Sequence, residues 1–190
     1  MTSPRLRPAT VDDLPLLLRH RRAMWVSIGG STPVELDAHD RVYRRWARDG
    51  LRAGTIVGFV IDDDGMAGAA SGCLWLSPSQ PRPGMRGLRV PYLLSMYTEP
   101  SRRGRGHADR IVRAALRWSR AHGYDRVLLH ASSMGRGIYE RSGFQRTNEM
   151  RRMLRPGGAS AFGLDPPSAG SERVDPVRST SARRRTQRSG

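Results

Sequence analysis

The sequence predicts a mixed α/β (α+β) domain, and three stretches carry that prediction. Residues 92–122 pass from a short apolar strand through a glycine-rich turn into an amphipathic helix. Residues 55–76 form two strand-like runs around the acidic turn Asp62-Asp63-Asp64-Gly65. Residues 127–144 repeat the order of strand, polar turn and helix. With 190 residues and 37% hydrophobic side chains, the chain can build one real core and leaves little room for a second domain.

The elements follow in order. Residues 5–8 are a short first strand, and Thr10 caps the helix after it, with Asp12 and Asp13 near the positive end of the helix dipole. That helix carries Leu14, Leu17, Leu18 and Met24 on one side. Residues 35–48 are a second helix, with Val42 and Trp46 and a charged face around Arg41, Arg44, Arg45 and Arg48, ended by residues 50–54. The three aspartates of the hairpin turn lack further oxygen ligands at loop spacing, so a solvated turn is expected rather than a metal site. Residues 77–91 are rich in Pro, Gly and Arg and are expected to be a mobile loop.

Residues 92–98 are rich in strand formers, and Glu99-Pro100 stops them. From Asp109 onward Ile111, Ala115, Trp118 and His122 recur at helical spacing, beside a separate stripe of Arg110, Arg113, Arg117 and Arg120. Residues 127–131 are a compact strand, residues 135–141 a short helix, and extended structure resumes at Phe144 as far as about Leu154. From Pro156 the composition turns to Pro, Gly, Ser and Arg. Such a stretch cannot bury enough apolar surface to fold alone, so residues 1–155 are expected to form the domain and residues 156–190 a disordered basic tail.

The formal net charge is +16, and all 33 basic residues are arginine. The tail holds only +3 of it, so the charge belongs mainly to the folded part. Such a surface suits a polyanionic ligand. No zinc-ligand spacing and no RNP-like aromatic pair accompanies it, so specific nucleic-acid recognition is not expected. Cys73 is the only cysteine, which excludes a disulfide within the chain; lying in an apolar run, it is expected to be a small buried hydrophobe and not a nucleophile. There is no apolar signal core at the N-terminus and no apolar run of about 18 residues, so a soluble, cytoplasmic protein without a membrane partner is expected.

The most informative motif is Arg103-Gly104-Arg105-Gly106-His107-Ala108. The start of a helix leaves its first N–H groups without intrahelical partners and carries the positive end of the dipole. Glycine at 104 and 106 and alanine at 108 let an anion approach that main chain closely, and the anion expected is a pyrophosphate.

The second motif runs from Leu128 to Phe144, where a strand meets a polar turn, a short helix carrying Tyr139, and Gly143-Phe144. Together the two motifs resemble the GNAT superfamily of acetyl-CoA-dependent N-acetyltransferases, over roughly residues 5–154. The resemblance implies a strongly twisted mixed sheet of six to seven strands, helices on both faces, and two central strands that splay to admit acetyl-CoA as co-substrate. By position, the backbone of Met96, Tyr97 and Thr98 would meet the pantetheine arm by strand addition. Arg103, Gly104, Arg105, Gly106, His107 and Ala108 would hold the pyrophosphate, and Ser132, Ser133 and Arg136 would line the far side. This chain has Ser132 where the family often has Asn, and Gly135 where it often has Ala.

The resemblance further implies acetyl transfer to a primary amine by direct attack, with Tyr139 as the general acid for the departing thiolate. A phenol of pKa ~10 stands above a thiol at ~8.5, so it can share its proton as charge develops on sulfur. The general base is not placed. The family often carries a Glu on the strand before the phosphate turn, but residues 92–98 contain no carboxylate. Glu99 is the nearest and reads as a solvated turn residue. Glu35, Asp37, His39 and Asp40 lie in the region that commonly forms the acceptor wall, with the loop 77–91 and the chain after Phe144, and a water chain serves equally well. The arginines of that loop argue mildly against a polycationic acceptor. The acceptor's identity, association into a homodimer, and two other functions are left open: a catalytically silent acetyl-CoA sensor and a basic nucleic-acid binder.

Overall fold

In the computed structural model, residues 3–29, 31–83, 85, 87–150, 152 and 154 are described. Strand β1 (Arg5–Pro8) leads through a 3-10 turn (Val11–Asp13) into helix α1 (Leu14–Ser27) and helix α2 (Pro33–Arg52). Strands β2 (Ile56–Asp63), β3 (Met66–Pro78) and β4 (Arg89–Thr98) follow, then helix α3 (His107–Ala121), strand β5 (Leu128–Leu129) and helix α4 (Arg136–Arg141).

Local chemistry sets the helix starts. Thr10 and Asp13 form a capping box before α1, and Thr32 and Glu35 form another before α2, where Glu35 returns its carboxylate to the Thr32 N–H at 2.7 Å. Pro33 occupies the first turn, and α2 therefore begins before residue 35. Gly50 does not end α2, which continues to Arg52. A Cβ at Gly50 would lie 2.5 Å from Ile56 Cδ1, so glycine is needed there for close packing on β2. Arg7 fastens the first strand, donating to Asp13 at 2.8 Å and to Asp62 at 3.0 Å. Its hydrogen bond holds the Asp13 carboxyl below the usual range.

The sheet runs in the order β1-β2-β3-β4-β5, antiparallel except for the parallel β4–β5 pair. Side chains alternate between its faces. Phe59, Ile61, Ala70, Leu74 and Leu93 pack with Ile111, Val112 and Ala115 of α3 on one face. Ile56 and Cys73 pack with Leu18 of α1 and with Tyr43 and Ala47 of α2 on the other. Cys73 is buried and its thiol is pushed up to about 12 by desolvation, which suits an inert core residue.

Two features open the sheet at one end. The β3–β4 register pairs Ser71 with Tyr97 and Cys73 with Leu94, so Gly72 alone faces Ser95 and Met96. This is a β-bulge, with Ser95 in the left-handed region at φ 54°. The bulge turns Met96 toward α3 and Tyr97 toward α1. On the other side, β5 pairs only Leu128 with Tyr92 and Leu129 with Leu93. Beyond Leu93, β4 has no strand partner on that side among the described residues, and the two strands form a fork.

Five strands are found among the described residues, fewer than the six to seven expected. The strand expected from Phe144 onward does not form over the backbone to Met150. Residues 145–150 are polar and largely exposed, so no alternating apolar face holds them to the sheet. The strand expected at 127–131 shrinks to two residues because Ser132 is committed to the turn that starts α4. The expected tail, residues 156–190, lies outside the described residues, as does Arg86 of the loop before β4.

Candidate active site

The turn between β4 and α3 is shaped for an anion. Gly104 and Gly106 have φ of 76° and 75°, and a Cβ on either would meet nothing within 4 Å. Glycine is thus required by the backbone conformation, not by packing. Among the described residues, none of the main-chain amides of Gly104, Arg105, Gly106, His107 and Ala108 has an internal acceptor.

The side chains of the turn are held from below. Asp63, at the end of β2 and only 4% exposed, accepts from His107 Nε2 at 3.0 Å and from Arg105 Nη1 at 3.2 Å, with Arg102 Nη1 at 3.8 Å. Asp62 accepts from Arg7 and from the Gly68 N–H. The aspartate turn is therefore no solvated loop tip: β-pairing and the docking of α3 bury Asp63, and two arginines with the His107 ring offset its desolvation. His107, 2% exposed, meets Asp63 with its side chain, which leaves only its amide for a ligand. Arg103 Nε donates to the Thr98 carbonyl at 3.3 Å, so that carbonyl is already engaged; the Tyr97 main chain pairs with Ser71 of β3, and Met96 faces the unpartnered edge.

Across the fork, Ser132 accepts from the Gly135 N–H through its Oγ at 3.2 Å, and its carbonyl accepts from the Arg136 N–H at 3.0 Å. Ser132 and Arg136 thus shape the start of α4, with Ser133 exposed between them. Tyr139, on α4, packs edge-on against Phe144 with ring centroids 5.9 Å apart and joins the rim of the α3-side core. Its hydroxyl has no hydrogen-bond partner among the described residues, and burial pushes the phenol up to about 12. A Cβ at position 135 would stand 3.2 Å from Tyr139 Cε2, so Gly135 relieves crowding at this ring.

The carboxylates expected near an acceptor are mostly committed. Glu99 is not a solvated turn residue. It meets His20 Nε2 and Arg19 Nη2, each at 3.2 Å, while His20 Nδ1 meets the buried Ser71 Oγ at 2.8 Å. The antiparallel pairing of β3 with the end of β4 brings this cluster beneath α1. Burial lowers the basicity of His20, with the Glu99 charge opposing. Arg22 is bridged to Asp37 at 2.7 Å and to Asp40 at 2.6 Å, Glu35 caps α2, and His39 Nδ1 meets the Glu35 carbonyl at 2.8 Å.

A cavity of about 550 Å³ opens beside the closed end of the fork, lined among others by Ser77, Arg82, Tyr92, Arg126, Leu128 and Glu149. Two of the expected acceptor walls, the loop before β4 and the chain after Phe144, contribute to it; residues 27–40 do not. At its edge the Tyr92 hydroxyl is hydrogen-bonded to His130 Nδ1, and His130 Nε2 meets Glu149 Oε1 at 2.9 Å. None of these three residues stands out in the sequence. The available signal is parity: Tyr92 pairs with Leu128, so Tyr92 and His130 fall on one face of the parallel pair.

The profile of the acetyltransferase (GNAT) family matches residues 18–144. Among solved structures, a GCN5-related N-acetyltransferase from Ralstonia eutropha is 31% identical, covering 80% of this chain and 99% of its own, with a TM-score of 0.73. A predicted acetyltransferase from Clostridium acetobutylicum, crystallised with acetyl-CoA, is 23% identical over 80% of this chain and 96% of its own, with a TM-score of 0.72. Glucosamine-6-phosphate N-acetyltransferase from Arabidopsis thaliana, at 18% identity over 81% of this chain and 100% of its own, shares the fold with a TM-score of 0.58. No curated protein matches the chain.

Proposed function

Since the chain belongs to the acetyltransferase (GNAT) family, we propose that it moves an acetyl group from acetyl-CoA to a primary amine of a small molecule or peptide by direct attack. The observation that carries this reading is the row of unengaged amides at Gly104 to Ala108, set where β4 leaves the fork. Five unengaged donors at a helix start match a pyrophosphate, and the Arg-rich surroundings favour the same anion. Met96 offers main-chain groups on the open edge of β4 to the pantetheine arm, whereas those of Tyr97 pair with Ser71 of β3. Ser133 and Arg136 stand on the far side of the fork.

Transfer needs a neutral amine and a proton for the departing sulfur. Tyr139 is the acid in this reading: its hydroxyl is uncommitted, and with a pKa near 12 it keeps its proton until negative charge builds on sulfur. The second proton lost from nitrogen, as the tetrahedral adduct collapses, balances the one Tyr139 gives. The acceptor enters the 550 Å³ cavity beside the fork.

A thiol-release assay with acetyl-CoA tests the reading directly. The panel comprises an aliphatic diamine, free amino acids, a peptide with a free N-terminus, an aminoglycoside and glucosamine 6-phosphate. Amine-dependent release of coenzyme A is the expected result. Coenzyme A binding without release for any amine would support a silent sensor instead.

A further inference from the structure

The structure leaves one line of polar groups at the fork without a role: Tyr92 on β4, His130 just past the last residue of β5, and Glu149 on the segment after α4. We infer that these three residues form the proton relay that deprotonates the acceptor amine, with Tyr92 touching the amine and His130 receiving the proton. The inference rests on the acetyltransferase reading above and supplies the base that residues 92–98 lack.

Position is the first argument. Leu93 and Leu129 are the last paired residues of the parallel strands and face α3, so Tyr92 and His130 face the opposite side. His130 is therefore the first residue of the opening, on the side away from the α3 core, where the cavity lies. Tyr92 and Glu149 line that cavity, and His130 joins them.

Hydrogen-bond direction is the second. A carboxylate only accepts, so Glu149 takes the Nε2–H of a neutral His130. That fixes the tautomer with the lone pair on Nδ1, which meets the Tyr92 hydroxyl. Tyr92 consequently donates toward His130, and its oxygen, at the cavity wall, is the atom that meets the amine. An ammonium there passes one proton to the Tyr92 oxygen while the Tyr92 proton moves to His130 Nδ1. The resulting imidazolium is balanced by Glu149 and later returns its proton to water. The amine, now neutral, adds to the thioester carbon; as the tetrahedral adduct collapses the carbon–sulfur bond breaks, sulfur takes the Tyr139 proton and nitrogen loses its second proton to water. The other histidine line, Ser71–His20–Glu99, cannot serve in this way. His20 is 1% exposed with both ring nitrogens occupied, and none of the three residues lines the cavity.

The titratable groups facing His130 are Tyr92 on β4 and Glu149 after α4, and Arg82 and Arg126 line the same cavity. The test compares wild type with Tyr92→Phe, His130→Gln and Glu149→Gln, using an amine accepted in the panel and its aminooxy analogue, which is already neutral at pH 7. With the amine at pH 7, Tyr92→Phe and His130→Gln should each lose ~10²-fold or more in kcat, with KM for acetyl-CoA within about twofold. With the aminooxy analogue the loss should be less than about threefold, because no proton needs removing. The kcat/KM of His130→Gln should keep rising tenfold per pH unit toward the amine pKa of ~10.4, where wild type levels off much earlier. Equal losses with both nucleophiles, or no loss in His130→Gln, overturn the relay while leaving the acetyltransferase reading intact. A wild type inert toward every amine overturns both. Coenzyme A binding by calorimetry reports folding of each variant; if His130→Gln loses it, Glu149→Gln, with the same expected contrast between nucleophiles at about tenfold, decides the matter.

Discussion

Asp63 carries the phosphate-type turn from beneath: its single carboxylate takes His107, Arg105 and Arg102 while itself buried. Removing it leaves the buried His107 Nε2 without its partner, a loss of about 1–3 kcal/mol. Asp63→Ala should lower urea-unfolding stability by that order and raise KM for acetyl-CoA several-fold, with kcat changed much less. An unchanged KM would detach Asp63 from the site. Tyr139 makes the opposite forecast: Tyr139→Phe keeps the contact with Phe144 and should cut kcat by ~10²-fold while coenzyme A affinity stays nearly constant. Turnover equal to wild type would remove the phenol from the mechanism. At this scale the sequence is uneven. Gly104 and Gly106 are legible because local backbone geometry demands glycine there. Asp63, Glu99 and His130 are not, because their partners are 44, 79 and 38 residues away, and only sheet pairing and helix docking bring them together.

The elements that work are the bulge and the fork. Gly72 makes room for Met96 at the bulge: a Cβ there would overlap Met96 Sδ and lie 3.0 Å from Ile111 Cγ2. Gly72→Ala should therefore cost about 1–3 kcal/mol in a packed core and displace the edge of β4. Chemical denaturation together with KM for acetyl-CoA checks both effects, and a stable variant with normal KM would show that the bulge does not position the edge. The helix start at Thr10 is readable because its capping box lies within four residues, whereas the box at Thr32 starts α2 before the expected residue 35. The short β5 is not readable, because Leu128 and Leu129 look like the start of a longer strand until Ser132 is drawn into the α4 turn. The bulge was also hidden, since Ser95 carries no mark of its positive φ.

At the scale of the whole molecule, the helices and the basic surface were foreseeable from periodicity and charge, and the mixed sheet with its helix layers from the family resemblance, while the pH response comes from a buried contact. His20 titrates below its ordinary value because burial disfavours the charged ring. The unfolded chain then binds the proton more readily than the folded one, so His20 withdraws stability as pH falls below about 6.5 and withdraws none above it. Thermal midpoints should accordingly fall between pH 7 and 5, and His20→Gln should flatten that slope; an unaltered slope would acquit His20.

Calorimetric titration of the whole chain with coenzyme A and, separately, with pantetheine tests the central claim most directly. If the amides of Gly104 to Ala108 hold the pyrophosphate, coenzyme A should bind at least about tenfold more tightly than pantetheine, and Gly106→Val should erase the difference. Equal binding of the two, or no heat with coenzyme A, would contradict it.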